Sequence, residues 1–278
     1  MRSFQPHRPS DEHQDQHIVC FDIETIVDDE PADGSFPPWP RHKPVAAAFL
    51  TAHWRPDGYA FDLKTLICSP GQEAAFYAAV DAWLPKGLTG ITYNGRGFDL
   101  PVLRLQAMAA GRFDLEGLSN QAHASRYGRD HLDLADQLSG YGGTRRVPLA
   151  ELCATLDIPV KLSVDGSEVG ALWRAGEVDT ITRYVEEDVL ATYILALHWF
   201  AFRASDERRI AVPLADLVGW IERSPELVHL APFTTCRRAM WARSRALLHR
   251  VNAAGMAAER RVERERDDRA FASERPIF

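Results

Sequence analysis

The segment Ile18-Val19-Cys20-Phe21-Asp22-Ile23-Glu24 constrains this chain more than any other. It is apolar and β-prone, so it reads as a strand ending at Thr25, placed at the head of an α/β pattern and therefore central. Side chains alternate along a strand, so Asp22 and Glu24 share one face. Two carboxylates that close on a buried strand repel each other and lose their hydration. A divalent cation removes that problem, and hard oxygen ligands suit Mg²⁺ or Mn²⁺. Taken alone, the pair equally fits an exposed strand end that carries acids for solubility.

The rest of the pattern supplies the α/β context. Residues 1–16 are polar, read as a disordered tail, and lack the apolar stretch of a signal peptide. Residues 28–44 hold Pro31, Pro37, Pro38, Pro40, Pro44 and Gly34 and read as a long loop. Residues 45–54 and 60–68 read as strands turned at Pro56-Asp57-Gly58. A helix is expected over Glu73 to Leu84, a strand over Leu88 to Tyr93, and a helix over Phe98 to Ala110 closed by Gly111. Residues 112–147 and 160–170 read as irregular, with a short helix over Pro148 to Leu156 between them. Asp179 reads as the N-cap of a long helix reaching about Ala204. The expected organisation is a tail over 1–16, an α/β domain over 17–204 and a helical C-terminal extension over 205–278.

Composition narrows the function. With 46% hydrophobic and 26% charged residues in 278, the chain can bury a sizeable core unaided. Cys20, Cys68, Cys153 and Cys236 are scattered, which disfavours a zinc cluster and fits a reduced, cytoplasmic chain. The longest apolar stretch, Val189 to Phe202, is too short to span a bilayer, so no membrane partner is expected. A net charge of −7 argues against coating nucleic acid by bulk charge. It leaves room for an enzyme acting on a strand end, with bound cations supplying local positive charge. Neither a Walker-type loop nor a GxSxG elbow occurs.

Two further clusters carry acids. Tyr93-Asn94-Gly95-Arg96-Gly97-Phe98-Asp99 lies between a strand and a helix and puts Asp99 in the first helical turn, near the strand ends where α/β sites sit. By itself it also reads as a capping Asp after a Gly-rich turn. Tyr184-Val185-Glu186-Glu187-Asp188 lies on the long helix. Tyr184 and Asp188 share a face as i and i+4, Glu187 can share it as i+3, and spacing alone does not choose between the two acids.

Together the three clusters resemble the DEDD exonucleases, in the subgroup with tyrosine in the third motif. The match is Asp22-Ile23-Glu24, then Asn94 with Phe98-Asp99, then Tyr184 with Asp188. The form of the second motif looks most like the proofreading domain of family-B DNA polymerases. His131-Leu132-Asp133-Leu134, Pro148-Leu149-Ala150-Glu151-Leu152 and Asp165-Gly166-Ser167 look like the stand-alone, polymerase-B-like exonucleases of bacteria. The resemblance covers residues 18–204. It implies a ribonuclease-H-like fold: a central mixed sheet with three leading antiparallel strands, then parallel strands flanked by helices. It also implies a 3′→5′ exonuclease acting on single-stranded DNA through two divalent ions. Asp22 would bridge both ions, Glu24 and Asp188 would complete one site, and Asp99 would hold the other mainly through water. Tyr184 would orient the attacking water, since a hydroxyl with a pKa near 10 is a poor base but a good hydrogen-bond partner.

Asn94, Phe98 and Ile23 are the expected substrate contacts. Asn94 would donate to a phosphate or base and Phe98 would stack, though a phenylalanine there also fits the core. The alternatives are an exoribonuclease of the same subgroup and a catalytically inactive nucleic-acid or partner-binding module. Proofreading, if it occurs, would be in trans, because 278 residues leave no room for a polymerase palm and thumb. His131 and Asp133 fit either the cleft or a capping role, and Lys161 fits a phosphate contact or a solvated loop. The stretch Arg237 to Arg250 carries five arginines and no acid, and fits a nucleic-acid grip or a helix face packed on acidic surface. Glu259 to Arg269 reads as a solvated helix.

Overall fold

The chain was analysed as a computed structural model that describes residues 17–29, 31, 33, 35–84, 88–160 and 166–273, the side chains of 257 and 266–273 excepted. The expected 1–16 tail, Lys161 and Asp165 lie outside these residues.

Five strands form one mixed sheet. They are β1 (His17–Ile26), β2 (Lys43–Arg55), β3 (Gly58–Ile67), β4 (Thr89–Thr92) and β5 (His131–Asp133), in the order β3-β2-β1-β4-β5. The hairpin β1-β2-β3 is antiparallel, while β4 runs parallel to β1 and β5 parallel to β4. β1 is thus the middle strand, and the strand directions are those the resemblance implied. Three residues of β5, and the helices α3 (Glu116–His123) and α4 (Leu134–Leu138) beside it, replace part of the irregular stretch expected over 112–147.

The alternation of β1 feeds two cores. Val19, Phe21 and Ile23 face α1 (Glu73–Trp83), α2 (Asp99–Ala109) and α3, with Phe76, Val80, Leu100, Leu103 and Leu118. Ile18 and Cys20 face the other side, toward α7 (Val178–Ala204), with Val185, Val189 and Leu190. On that side Asp22 pairs with Ala48 and Glu24 with Ala46. Alanine is a poor strand former, so its use at these fully buried positions reflects packing: with no bulk there, α7 can lie against β1 and β2.

α7 begins after Glu177, so Asp179 lies in its first turn rather than at the cap, where an acid still suits the helix dipole. Before α7 the chain forms α5 (Leu149–Thr155) and then α6 (Val169–Ala175), which begins within the loop expected over 160–170. The core on the α7 side does not stop at Ala204. Ile210, Leu214, Leu217 and Ile221 of α8 (Arg208–Arg223) pack with β3 and α7, and Phe233 of α9 (Pro232–Thr235), beside α8, joins the same core. α10 (Arg237–Ser273) contributes Ala239, Ala242 and Ala246 and carries exposed side chains beyond them.

The basic stretch on α10 packs on acids. Arg237, Arg243, Arg245 and Arg250 pair with Asp157, Glu222, Glu207 and Asp216. Arg238 lies over the ring of Trp241. No helix among the described residues is long and apolar enough to cross a membrane, and all four cysteines are free.

Candidate active site

The site begins where β1 ends. After Glu24 the register with β2 shifts, a bulge that turns Thr25 toward His42, whose Nδ1 lies 2.7 Å from the Thr25 hydroxyl. Asp22 and Glu24 project from the α7 face of the sheet. Asp188 comes down from α7, and one carboxylate oxygen from each of the three lies within 4.8 Å of the others. Glu187, next along the helix, is 3% exposed and is not one of this group. Asp99 enters from the first turn of α2. It is 3% exposed, accepts from the Ile23 N–H at 3.3 Å, and shares a side-chain hydrogen bond with Asp22.

The electrostatics of this group are one-sided. Burial raises the Asp22 carboxyl well above the usual range, and the charges of Asp99, Glu24 and Asp188 raise it further. Glu24 is raised by burial, then by Asp188 and Asp99. Asp99 is pushed up to about 7, chiefly by burial and partly offset by the hydrogen bonds it accepts. A divalent ion inverts this arrangement, because it favours the ionised form of every carboxylate around it. The donor set therefore fits a hard cation.

Tyr184, 5% exposed, hydrogen-bonds Asp188, and burial with the surrounding acids holds its hydroxyl well above the ordinary range. It remains a protonated phenol. A Cβ built at Gly166 would stand 3.4 Å from that hydroxyl, so Gly166 leaves room beside it.

The turn before Asp99 is held by Asn94 and Asp133, and by Arg146, which the sequence did not mark. Asn94 has φ 65°, a left-handed conformation that Asn tolerates better than most residues. Asp133, the last residue of β5, accepts from the N–H groups of Asn94 and Arg96 at 3.0 Å each and also caps α4. The Asn94 side-chain oxygen accepts from Arg146 at 2.7 Å. Arg146 and Arg126 both pair with buried Asp136, whose carboxyl burial would raise but the two guanidinium groups hold below the usual range. A Cβ at Gly95 would meet the Thr92 hydroxyl at 2.4 Å, so this glycine is required by the turn's own packing. His131 is buried against Thr92 and pushed down to about 3 by burial, hence neutral and structural. Asp133 is likewise a cap and a turn anchor.

The expected substrate contacts separate. Phe98 is half-buried and meets His42 edge-on at 4.9 Å and Phe36 at 5.8 Å. A cleft of 230 Å³ is lined by Phe36, His42, Thr25, Gly166 and Ser167; Thr25 follows Glu24 in the chain, and Gly166 neighbours the Tyr184 hydroxyl. Ile23 faces away, 5% exposed in the core between the sheet and α2, and what it gives the site is its backbone N–H. A roomier cleft of 570 Å³ lies at Ile26, Lys43, Tyr77 and Trp173, and neither cleft is lined by a motif acid.

The family described as predicted 3′-5′ exonucleases related to the exonuclease domain of PolB matches residues 34–235. No curated protein matches the chain. Among solved structures, the family B DNA polymerase from the hyperthermophilic archaeon Pyrobaculum calidifontis is similar at 20% identity and a TM-score of 0.46, over 80% of this chain and 30% of the polymerase chain. Exonuclease I is similar at 15% identity and a TM-score of 0.44, over 77% of this chain and 45% of its own. The matched region is thus less than half of either of those chains.

Proposed function

The chain belongs to the family of predicted 3′-5′ exonucleases related to the exonuclease domain of PolB, and from that premise we propose that it removes nucleotides from the 3′ end of single-stranded DNA using two divalent ions, Mg²⁺ or Mn²⁺. The observation that carries the proposal is the meeting of Asp22 and Glu24 from β1 with Asp188 from α7, and of Asp99 with Asp22. These four carboxylates are the residues that would hold the ions. When bound, the ions supply a nucleophile near neutral pH and stabilise charge on the leaving oxygen.

The chain's own groups do the rest. Asp22 hydrogen-bonds Asp99 and is grouped with Glu24 and Asp188, so it would be the carboxylate shared between the two ions. Tyr184 keeps its proton and lies on Asp188, which suits it to orient the attacking water by a hydrogen bond rather than to take its proton. Phe98 packs on His42 and Phe36, which line the cleft, and would offer an aromatic edge to the terminal nucleotide beside it. Asn94 is set by Arg146 and Asp133 at the head of the same turn.

The test is release of nucleoside 5′-monophosphates from single-stranded DNA in Mg²⁺ or Mn²⁺. Release that disappears with EDTA and with Asp22→Ala supports the proposal. Intact DNA beside degraded RNA moves the substrate to RNA. Both intact overturns the enzyme reading in favour of a binding module.

A further inference from the structure

A surface next to the Asn94 turn is not used by the chemistry above. Tyr127, between α3 and β5, is 74% exposed. Its ring meets Tyr141 edge-on with centroids 4.7 Å apart. Tyr141 stands at φ 58° between Gly140 at φ 61° and Gly142 at φ 92°. Three left-handed residues in a row, the middle one bulky, are an unfavourable way to make a loop, and here they deliver an aromatic ring to back Tyr127. The pair belongs to neither core.

Cationic groups surround the rings. The Arg126 guanidinium lies 5.5 Å from the Tyr141 centroid and makes two 2.7 Å bonds to Asp136. Arg146 shares that carboxylate, so two arginines divide one buried acid. Arg129 and Arg145 are exposed on the same two segments, with Asp130 as the exposed acid among them. The local balance is positive on a chain whose net charge is −7.

The surface is also fixed to the active site. Arg96, in the Asn94 turn, donates to the carbonyls of Ala124, Ser125 and His131 and so holds the Tyr127 segment. Arg146 donates to the Asn94 side chain, and a Cβ at Gly97 would come within 3.0 Å of its Nη1. The next residues are Phe98 and Asp99.

We propose that Tyr127, backed by Tyr141 and flanked by Arg126, Arg145 and Arg146, is a platform for the single strand upstream of its 3′-terminal nucleotide. A base stacks on Tyr127 while the backbone phosphates run along the arginines toward Phe98. This rests on the exonuclease reading and extends it with a second, sequence-tolerant holding site. Stacking on an aromatic side chain is measured by its loss, about 5- to 150-fold in binding per base.

The experiment compares KM for a single-stranded oligonucleotide, in the metal that supports turnover, among wild type, Tyr127→Ala and Tyr127→Phe. Tyr127→Ala is expected to raise KM by about 5- to 150-fold and Tyr127→Phe to restore it, since phenylalanine keeps the stacking face. Arg145→Ala is expected to flatten the slope of log KM against log salt by about 0.7 for the lost phosphate contact. A KM for Tyr127→Ala within twofold of a cleaving wild type, or a Phe variant as poor as the Ala variant, overturns the platform and leaves the exonuclease reading standing. A wild type that cleaves neither DNA nor RNA removes both.

Discussion

Replacing Asp99 by Asn should stabilise the metal-free protein, and by more at neutral than at acid pH. Asp99 is buried and its carboxyl is pushed from 3.8 up to about 7, chiefly by burial. Between those values the unfolded chain releases the proton while the folded chain keeps it. The favourable contribution is therefore fully present below about pH 4 and is lost as pH rises through about 7. Each pH unit well inside that window is worth about 1.4 kcal/mol and less as pH nears 7, so the interval from about pH 5 to about pH 7 is worth about 2 kcal/mol. At roughly 2–4 °C per kcal/mol for a chain of this size, that is roughly 4–8 °C in Tm. The raw curve is not the test. His131 and His198 are pushed down by burial to about 3 and about 4, so they add stability as pH rises toward 6.5, with the opposite sign. Both proteins contain them, and they cancel in the difference. Asp99 also titrates with Asp22 and Glu24 as one set, and the shift belongs to that set. Urea unfolding in EDTA at several pH values reads the gap between Asp99→Asn and wild type. A gap that stays constant from acid to neutral pH would refute the electrostatic account of the site.

The other predictions follow from the same geometry. Mn²⁺ at about a hundredfold excess over its Kd should stabilise wild type by about 2.7 kcal/mol in a thermal scan and leave Asp22→Ala unmoved. Asp188→Ala should cost about a hundredfold or more in hydrolysis, while Glu187→Ala should stay within about tenfold; the reverse order would show that the wrong acid had been chosen. Tyr184→Phe should lower kcat by about a hundredfold with metal affinity intact by calorimetry, and loss of metal affinity would contradict a water-orienting role. Asp136→Asn should cost about 1–3 kcal/mol in denaturant unfolding near neutral pH, because Arg126 and Arg146 lose their shared charge. Since the Asp136 carboxyl is held low, that deficit should shrink only as pH falls below about 4.

Much of this site could be read before its structure. Asp22 and Glu24 were marked by strand alternation, and Tyr184 with Asp188 by helical spacing, because both periodicities are local. Spacing left Glu187 and Asp188 equivalent, and their separation depends on how α7 lies on Ala46 and Ala48, a contact far apart in sequence. β5 was illegible because three residues carry no period; what makes them a strand is pairing with Gly90, Ile91 and Thr92. The sequence allows Asp133 a cleft or capping role, but its hold on the Asn94 turn was hidden for the same reason, as was Arg146, since each acts on a turn tens of residues away. α6 was masked by the polar, Gly-containing composition before it. Ile23 is a different case. The alternation that put Asp22 and Glu24 on one face puts Ile23 on the other, so its place in the core was already implied.

The central claim is a metal-dependent exonuclease that starts at the 3′ end. A single-stranded DNA labelled at its 5′ end, incubated with Mn²⁺ beside Asp22→Ala and EDTA controls, tests it most directly. The account predicts a ladder that shortens one nucleotide at a time with the label retained on the longest products, and no change in either control. Early release of the label as a mononucleotide, scattered internal cuts, or shortening that persists in Asp22→Ala would contradict it.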